Sequence, residues 1–261
     1  FVEEIAKFRA ARKIWATVMR ERYGAKNPRS WMLRFHTQTA GCSLTAQQPV
    51  NNVVRTTVQA LAAVLGGTQS VHTNALDETL ALPTEENARI ALRTQQILAH
   101  ESGVINTVDP LGGSWFVEEM TRAMVDGAFD YFRRIDALGG MVEAIEAGFP
   151  QREVMDAAFA YQRSVEKREK LVVGMNAFQM ENEPPVDTLY ISDELADIQV
   201  AALDRVKSAR DRGAVVRTLD ALRAGARGEA NTMPLILDCV KTYCTVGEVS
   251  DAMRDVFGTY E

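Results

Sequence analysis

The stretch Trp31-Met-Leu-Arg-Phe-His-Thr-Gln38 alternates between apolar and polar side chains, as a half-buried β-strand does. A loop rich in helix breakers, 24–30, precedes it, and a polar turn, 39–49, follows it. The pattern therefore predicts a strand with one polar face. The two faces carry Leu33, Phe35 and Thr37 on one side and Arg34, His36 and Gln38 on the other.

A second segment, Thr68-Gln-Ser-Val-His-Thr-Asn74, repeats this pattern one unit further along the chain, with a helical pattern at 51–65 between the two. Its polar face carries Ser70, His72 and Asn74. The distance from His36 to His72 is close to the roughly 30-residue strand–helix repeat of an eightfold barrel. The repeat predicts parallel strands joined by helices.

The rest of the first half extends the repeat. Residues 104–108 predict a third strand, so we expect about three βα units, and because three strands cannot close a barrel we expect the other strands before Phe1. The predicted fold class is α/β, the C-terminal part of a (β/α)8 TIM barrel followed by a helical region. The flanking helices are predicted at 1–19, 84–102 and 114–138.

From Met141 onward helical patterns dominate, interrupted by an extended segment at 171–178 and an acidic loop containing prolines. We expect two parts: 1–140, the C-terminal half of a barrel, and 141–261, a helical extension that packs on it. The helices of the second part are predicted at 141–147, 151–170, 191–211, 213–226 and 246–257.

Composition excludes several classes of protein. The chain has 261 residues, 46% hydrophobic and 25% charged, which is typical of a globular protein. A net charge of −6 argues against a nucleic-acid binder, and no apolar run is long enough for a membrane helix. Three scattered cysteines form neither a disulfide framework nor a zinc pair, so we expect a reducing, cytoplasmic location.

The polar strand faces allow two interpretations. Barrel interiors are normally filled by branched apolar side chains, and each buried polar group without a partner costs about 1–3 kcal/mol. A polar ligand that threads the barrel would supply partners for these groups. Alternatively, the faces point to solvent or meet each other. The pattern alone favours neither interpretation.

Other candidate groups are weaker when taken singly. His36 and His72 lack a third ligand nearby, so no metal site is expected, and Cys42 is typical of an inert small residue. Asp77 and Glu78 are the best-placed carboxylates, since they follow the second strand where barrels carry functional groups. They are also typical of an acidic helix-capping cluster.

Several longer motifs occur in order along the chain and point to one family. They resemble the large, substrate-binding subunit of the adenosylcobalamin-dependent acyl-CoA mutases, of the methylmalonyl-CoA mutase type, and the resemblance covers essentially the whole chain. The motifs are Arg34-Phe-His-Thr-Gln-Thr-Ala-Gly41, Ser43-Leu-Thr45, Asn51-Asn52, Gly67-Thr-Gln-Ser70, His72-Thr-Asn-Ala-Leu-Asp-Glu78, Asp109-Pro-Leu-Gly-Gly-Ser114 and Cys244-Thr-Val-Gly-Glu248.

The resemblance implies a barrel lined by small polar side chains, with the CoA arm along its axis, and it assigns roles residue by residue. No residue is expected to be catalytic as an acid or base, because the cofactor carries the radical. The implied acyl-CoA pocket residues are His36, Gln69 and Arg34. The implied adenosylcobalamin contacts are Gln38, Gly41, Asn74, Glu78 and Ala81, with Asn74 and Glu78 near the adenosyl ribose.

The implied reaction is a radical carbon-skeleton rearrangement, and we expect (R)-methylmalonyl-CoA to succinyl-CoA. Isobutyryl-CoA, 2-hydroxyisobutyryl-CoA and ethylmalonyl-CoA are alternative substrates. The same motifs would also fit a non-catalytic barrel subunit. The strand pattern alone, without the resemblance, also fits a barrel lyase or aldolase with Glu78 or Asp77 as base.

The expected partners follow from the same resemblance. They are the acyl-CoA substrate, the N-terminal half of the barrel and further copies in an oligomer. The cobalamin-binding motif D-x-H-x-x-G is absent from the chain. The cobalamin-binding domain is therefore expected to be a small subunit or to have been removed.

Overall fold

The computed structural model describes residues 1–259, which are mostly helical with one small parallel sheet. They form two compact units, residues 1–189 and 190–259, each described by itself below. The first unit contains α1 (Val2–Glu21), β1 (His36–Gln38), α2 (Asn52–Leu65), β2 (Ser70–His72), α3 (Glu85–His100), α4 (Trp115–Ala137), α5 (Met141–Glu146) and α6 (Phe149–Glu166). The second contains α7 (Asp193–Ala209), α8 (Arg212–Ala226), α9 (Thr232–Lys241) and α10 (Val246–Phe257).

The sheet consists of β1 and β2, which pair in parallel with His36 opposite Ser70 and Gln38 opposite His72. The predicted parallel strand–helix–strand unit is confirmed, although each strand is only three residues long. Since parallel strands begin at the same end of a sheet, the segments that follow β1 and β2 emerge side by side.

The third predicted strand, 104–108, is wrong. A 3₁₀ helix, Val104–Asn106, occupies that position, so the described chain holds two strands and not three. Gly103 enters the segment with a φ of 73°, and Asp109 leaves it with a φ of 47°, both in the left-handed region. These bends at either end of residues 104–108 produce a turn where a strand had been predicted.

Helix α1 packs against α4, and one arginine ties both helices to the turn between α3 and α4. Arg9 Nε donates to Asp109 Oδ1 at 3.0 Å, Nη2 donates to Glu118 Oε1 at 2.7 Å, and Nη1 donates to Thr121 Oγ1 at 3.1 Å. Its hydrogen bond to Glu118 lowers the pKa of that carboxyl. The motif that begins at Asp109 is therefore a structural anchor in this unit.

The segments that follow the two strands are joined by the carboxamide of Asn52, the first residue of α2. This side chain is fully buried. Its Nδ2 donates to the carbonyls of Thr45 and Leu76, both at 2.9 Å, and its Oδ1 accepts from the Thr45 backbone N–H at 3.1 Å. Thr45 follows β1 and Leu76 follows β2, so one amide holds both segments.

Arg55, one turn later in α2, supports this arrangement. Its Nη1 donates to Asn52 Oδ1 at 2.8 Å and to Thr45 Oγ1 at 2.9 Å, and its Nη2 donates to the Val173 carbonyl at 2.7 Å. Part of the segment predicted as extended at 171–178 is thereby attached to the start of α2. That segment is a turn around Gly174, which has a φ of 82°.

The second unit has its own core between α8, α9 and α10, formed by Val215, Leu219, Leu222, Cys239 and Ala252. Helix α9 was not predicted from the sequence, whereas α7, α8 and α10 were. Its N-terminus is capped by Asn231 Oδ1, which accepts from the Met233 N–H at 3.0 Å. Among residues 1–259, no helix combines the length and the apolar character that crossing a membrane requires.

Helix α10 begins with a capping box. Thr245 Oγ1 accepts from the Glu248 N–H at 3.2 Å, and Glu248 Oε2 accepts from the Thr245 N–H at 2.8 Å. Arg210, which precedes α8, donates to both carboxylate oxygens of Glu248. These hydrogen bonds, above all those from Arg210, lower the pKa of Glu248 from its ordinary 4.5 to about 2.

We expect Asn52→Ala to destabilise the first unit by about 2–4 kcal/mol, because it leaves buried carbonyl and N–H groups without partners. Hydrogen exchange of the amides in 39–52 and 74–84 of the full-length protein measures this change. Asn51→Ala is the matched control, since Asn51 is exposed and, among the described residues, its side-chain amide bonds only to Gln48. Equal exchange in the two variants would show that the Asn52 amide does not hold these segments.

We expect Glu248→Gln to destabilise the protein by about 1–2 kcal/mol at pH 6, since the charge-assisted pair with Arg210 is lost, whereas a glutamine amide can keep the capping box. A pKa depressed in the folded state stabilises above the ordinary value, so the effect should be complete above about pH 4.5 and vanish as the pH falls toward 2. Urea unfolding of both proteins across this range measures it.

The control for Glu248 is Asp251→Asn, which removes only an exposed ion pair with Arg254 on the same helix. Such pairs contribute about 0–1 kcal/mol, so this variant should unfold close to the wild type at every pH. A difference between wild type and Glu248→Gln that stayed constant from pH 6 to pH 3 would contradict the assigned cause.

Candidate ligand site at the carboxyl ends of the two strands

The polar faces of β1 and β2 lie on one side of the sheet, where His36, Gln38, Ser70 and His72 are exposed. They also meet each other, because His36 Nδ1 and Ser70 Oγ are 2.8 Å apart. The structure thus joins parts of both interpretations of the pattern: a polar surface open to a ligand, with some of its groups already paired across the strands.

Asn74 connects the ends of the two strands. Its side chain is buried, its Nδ2 donates to the Thr39 carbonyl at 3.0 Å, and its backbone N–H donates to Thr39 Oγ1 at 2.9 Å. Its Oδ1 accepts from Gln38 Nε2 at 3.0 Å. Gln38 and Asn74, two of the residues for which the family resemblance implies contacts with adenosylcobalamin, are therefore hydrogen-bonded to each other in this structure.

Gly41 brings two more of the matched residues together. A Cβ at this position would lie 3.2 Å from Asn74 Nδ2, 3.5 Å from Glu78 Cγ and 3.6 Å from Glu78 Oε1. Without a side chain, the backbone of Gly41 lies directly against Asn74 and Glu78. Gln38, Gly41, Asn74 and Glu78 form one continuous group, which we name the strand-end cluster.

The turn that carries Gly41 is fixed by Gln59 of α2, a residue that the sequence analysis did not single out. Its Oε1 accepts from the Ala40 N–H at 2.8 Å, and its Nε2 donates to Ser43 Oγ at 2.6 Å. The Ser43 hydroxyl in turn donates to the Ala40 carbonyl at 2.7 Å. The sequence offered one signal for such a residue, the motif Asn51-Asn52 followed by polar residues in α2. That pattern does not show which of the polar side chains point inward.

Asp77 and Glu78 are adjacent in sequence but lie in opposite environments. Asp77 is fully buried, and its Oδ2 accepts from the Thr84 N–H at 3.0 Å and from Asn87 Nδ2 at 2.7 Å, just before and inside α3. Glu78 is exposed beside Gly41. Asp77 therefore stabilises the start of α3, whereas Glu78 is available to a ligand.

The side chain of Ala81 lies outside the strand-end cluster. It is half-buried in the turn after Glu78, where its N–H donates to the Asp77 carbonyl at 3.0 Å. The structure thus brings four of the five residues matched to cofactor contacts together and leaves the fifth in the adjacent turn.

The three residues matched to the acyl-CoA pocket differ in their surroundings. Both polar atoms of the Gln69 side chain are hydrogen-bonded to the backbone: Oε1 accepts from the Phe35 N–H at 2.8 Å, and Nε2 donates to the Gly67 carbonyl at 2.9 Å. Arg34 is exposed just before β1. His36 lines a cavity of about 300 Å³ between β1 and the first turns of α1.

The donor set favours a polar organic ligand. Amides and a single carboxylate can exchange hydrogen bonds with hydroxyl and carbonyl groups. Within residues 1–259, no three His, Cys, Asp or Glu side chains are grouped as metal ligands.

Comparison with known proteins gives a consistent result. The family described as methylmalonyl-CoA mutase matches residues 1–259. The chain is 43% identical over its whole length to a probable mitochondrial methylmalonyl-CoA mutase of Caenorhabditis elegans and 44% identical to a methylmalonyl-CoA mutase of Rhizobium meliloti. It is also 44% identical to a 2-hydroxyisobutanoyl-CoA mutase large subunit of Aquincola tertiaricarbonis.

Each of these alignments spans the whole of this chain. It spans only 35%, 37% and 47%, respectively, of the lengths of the three relatives. It thus spans between about a third and a half of the curated relatives that it matches. The family match extends over nearly every residue, including both strands, the strand-end cluster and the helices of the second unit. The resemblance that the motifs indicated is confirmed, and the chain belongs to the methylmalonyl-CoA mutase family.

Proposed function

We propose that this chain is the large-subunit part of an adenosylcobalamin-dependent acyl-CoA mutase, which isomerises (R)-methylmalonyl-CoA to succinyl-CoA by a radical carbon-skeleton rearrangement. The observation that carries the proposal is the strand-end cluster, in which four residues matched to cofactor contacts lie together. Family membership and the two mutases named for methylmalonyl-CoA support it.

The residues of the cluster suit the cofactor. A side chain at Gly41 would fill the space beside Asn74 and Glu78, so the bare backbone leaves a surface that a flat group can approach. As the resemblance implies, ribose hydroxyls can donate to the exposed carboxylate of Glu78 and exchange hydrogen bonds with the amide of Asn74. When bound, adenosylcobalamin supplies the carbon radical that removes a hydrogen atom from the substrate.

The chain itself provides binding and orientation. His36 and Ser70 present hydrogen-bonding groups on the open side of the sheet, and Arg34 is exposed just before β1, so the amides and thioester of an acyl-CoA can bind there. Asn74 fixes the side chain of Gln38 through a hydrogen bond and is itself held by Thr39. This arrangement positions a substrate and requires no acid–base residue. It also disfavours the lyase with Asp77 as base, because that carboxylate is buried under α3.

The sheet indicates what else the active protein contains. Within the described residues, β1 and β2 pair only with each other, so both outer edges offer N–H and C=O groups to further parallel strands. We propose that the N-terminal half of a barrel supplies those strands, with residues 1–140 as its C-terminal half and 141–261 as a helical extension packed on it.

The remaining partners are an acyl-CoA substrate, a cobalamin-binding domain or small subunit and further copies in an oligomer. The separate small subunit is supported by the relative that is named a large subunit. A cytoplasmic location stays a prediction, since some of the relatives are named mitochondrial.

A second substrate, 2-hydroxyisobutanoyl-CoA, is favoured by one observation. The relative named for that reaction is as similar to this chain as the bacterial methylmalonyl-CoA mutase, at 44% identity each. Isobutyryl-CoA and ethylmalonyl-CoA are further candidate substrates, and a non-catalytic barrel subunit is the candidate without a reaction.

The assignment of Glu78 is tested by comparing it with its neighbour. We expect Glu78→Ala to raise the adenosylcobalamin concentration for half-maximal rate about tenfold, the equivalent of one lost hydrogen bond of about 1.4 kcal/mol, with an unchanged melting temperature. Asp77→Ala is the matched control, because it should lower the melting temperature by several degrees through the loss of hydrogen bonds at the start of α3. A lower melting temperature for Glu78→Ala with unaltered cofactor dependence would make Glu78 a structural residue.

The reaction is tested with the full-length protein, adenosylcobalamin and, where it is separate, the cobalamin-binding subunit, under anaerobic conditions. Each of the four acyl-CoA substrates named above is offered alone, and the isomers are separated by liquid chromatography with mass detection. We expect cobalamin-dependent formation of succinyl-CoA from methylmalonyl-CoA. Isomerisation of 2-hydroxyisobutanoyl-CoA instead would change the substrate and keep the reaction class, whereas no isomerisation despite cobalamin binding would favour the non-catalytic subunit.

A further inference from the structure

The pair formed by His36 and Ser70 is the one place on the polar face, within the described residues, where an ionisable ring is held by a hydroxyl. The two residues are opposite each other in the parallel register, and His36 Nδ1 and Ser70 Oγ are 2.8 Å apart. Within residues 1–259, the Ser70 hydroxyl makes no second hydrogen bond, and His36 Nε2 makes none. One ring nitrogen is therefore occupied and the other is open.

Ser70 is itself held in place by the neighbouring residues. Its backbone carbonyl accepts from Thr68 Oγ1 at 2.8 Å, and Thr68 Oγ1 accepts from Thr37 Oγ1 at 2.8 Å. Thr37 belongs to β1, the strand that carries His36. The hydroxyl that faces the imidazole thus sits on backbone that is connected to the histidine's own strand, which limits how far the two can separate.

The tautomer of a neutral His36 imidazole depends on this hydrogen bond. One ring nitrogen carries the proton and donates, while the other accepts, and the hydrogen bond made by one nitrogen fixes the role of the other. If the Ser70 hydroxyl donates to Nδ1, the proton is on Nε2, the ring nitrogen that has no hydrogen-bond partner among the described residues. If Nδ1–H donates to Ser70, Nε2 can only accept.

We infer that Ser70 is a positioning residue that donates its hydroxyl proton to His36 Nδ1 and so keeps Nε2–H as a hydrogen-bond donor for a carbonyl oxygen of the acyl-CoA substrate. The inference rests on the proposed function for the ligand, since the thioester and amide carbonyls of an acyl-CoA are acceptors. The hydrogen bond between Ser70 and His36 is a property of the chain alone.

The tautomer is measured directly by nitrogen-15 NMR of the full-length protein labelled at histidine, at about pH 8, where an ordinary histidine is neutral. The signals of His36 are assigned by their loss in His36→Gln. We expect a protonated Nε2 and an unprotonated Nδ1 in the wild type. Ser70→Ala should shift both signals toward a mixture of the two tautomers, and Ser70→Thr, which retains the hydroxyl, should restore the wild-type spectrum.

Kinetics test the role of the open nitrogen. We expect Ser70→Ala to lower kcat/KM for the acyl-CoA about five- to tenfold and Ser70→Thr to recover most of it. The amide NH2 of glutamine can replace Nε2–H, whereas that of asparagine lies near the position of Nδ1. His36→Gln should therefore retain more activity than His36→Asn, by about fivefold.

The outcomes separate the two proposals. A wild-type spectrum with the proton on Nδ1, or a spectrum that Ser70→Ala leaves unchanged, would overturn the positioning role whatever the activity. The expected spectra together with no isomerisation of any acyl-CoA would support the hydrogen bond between Ser70 and His36 and overturn the proposed function. Equal activity of His36→Gln and His36→Asn would overturn the role of Nε2–H as the donor.

Discussion

The candidate site depends on the buried carboxamide of Asn52. A two-stranded parallel sheet with three residues per strand makes few backbone hydrogen bonds, so it cannot by itself fix the segments that leave its carboxyl end. Asn52 uses both donors and its acceptor within the protein, and it reaches the segment after β1 and the segment after β2 together. Because these groups are buried, losing one of them costs more than the hydrogen bond itself contributes.

The consequence is a separation between residues that hold the site and residues that face a ligand. Asn52, Asp77 and Gln59 direct their polar atoms toward backbone groups or the start of a helix. Glu78 and His36 are exposed on the open side of the same structure. Asp77 and Glu78 show that adjacent residues can fall into different groups, since the Asp77 carboxylate is buried at the start of α3 and the Glu78 carboxylate is exposed.

Much of this arrangement could be predicted from the sequence. Alternation at 31–38 and 68–74 indicated the two strands and their polar faces, and parallel pairing then required the following segments to meet. The close approach at Gly41 was open to recognition only through family motifs, because no local rule shows which glycine faces Asn74. The roles of Asp77 and Glu78 could not be separated, since the difference comes from tertiary contacts: Asp77 is buried and hydrogen-bonded to the start of α3, whereas Glu78 is exposed beside Gly41.

Two elements show where sequence patterns fail. Residues 104–108 were predicted as a strand, but Gly103 and Asp109, both with left-handed backbone conformations, bend the chain at both ends. Helix α9 was missed because Pro234 interrupts its pattern, although the proline lies in the first turn, where a missing N–H has no consequence. At 104–108 the backbone conformation of two residues overrides the pattern of the whole segment, whereas in α9 the proline leaves the helix intact.

The two strands also affect how the chain can associate with other chains. Where no neighbouring strand pairs with them, the outer edges of β1 and β2 offer unpaired backbone groups, which are templates for such association. Each strand is only three residues long, and short edges are one of the means by which proteins limit it. The shortness that makes the sheet dependent on Asn52 therefore also limits aggregation.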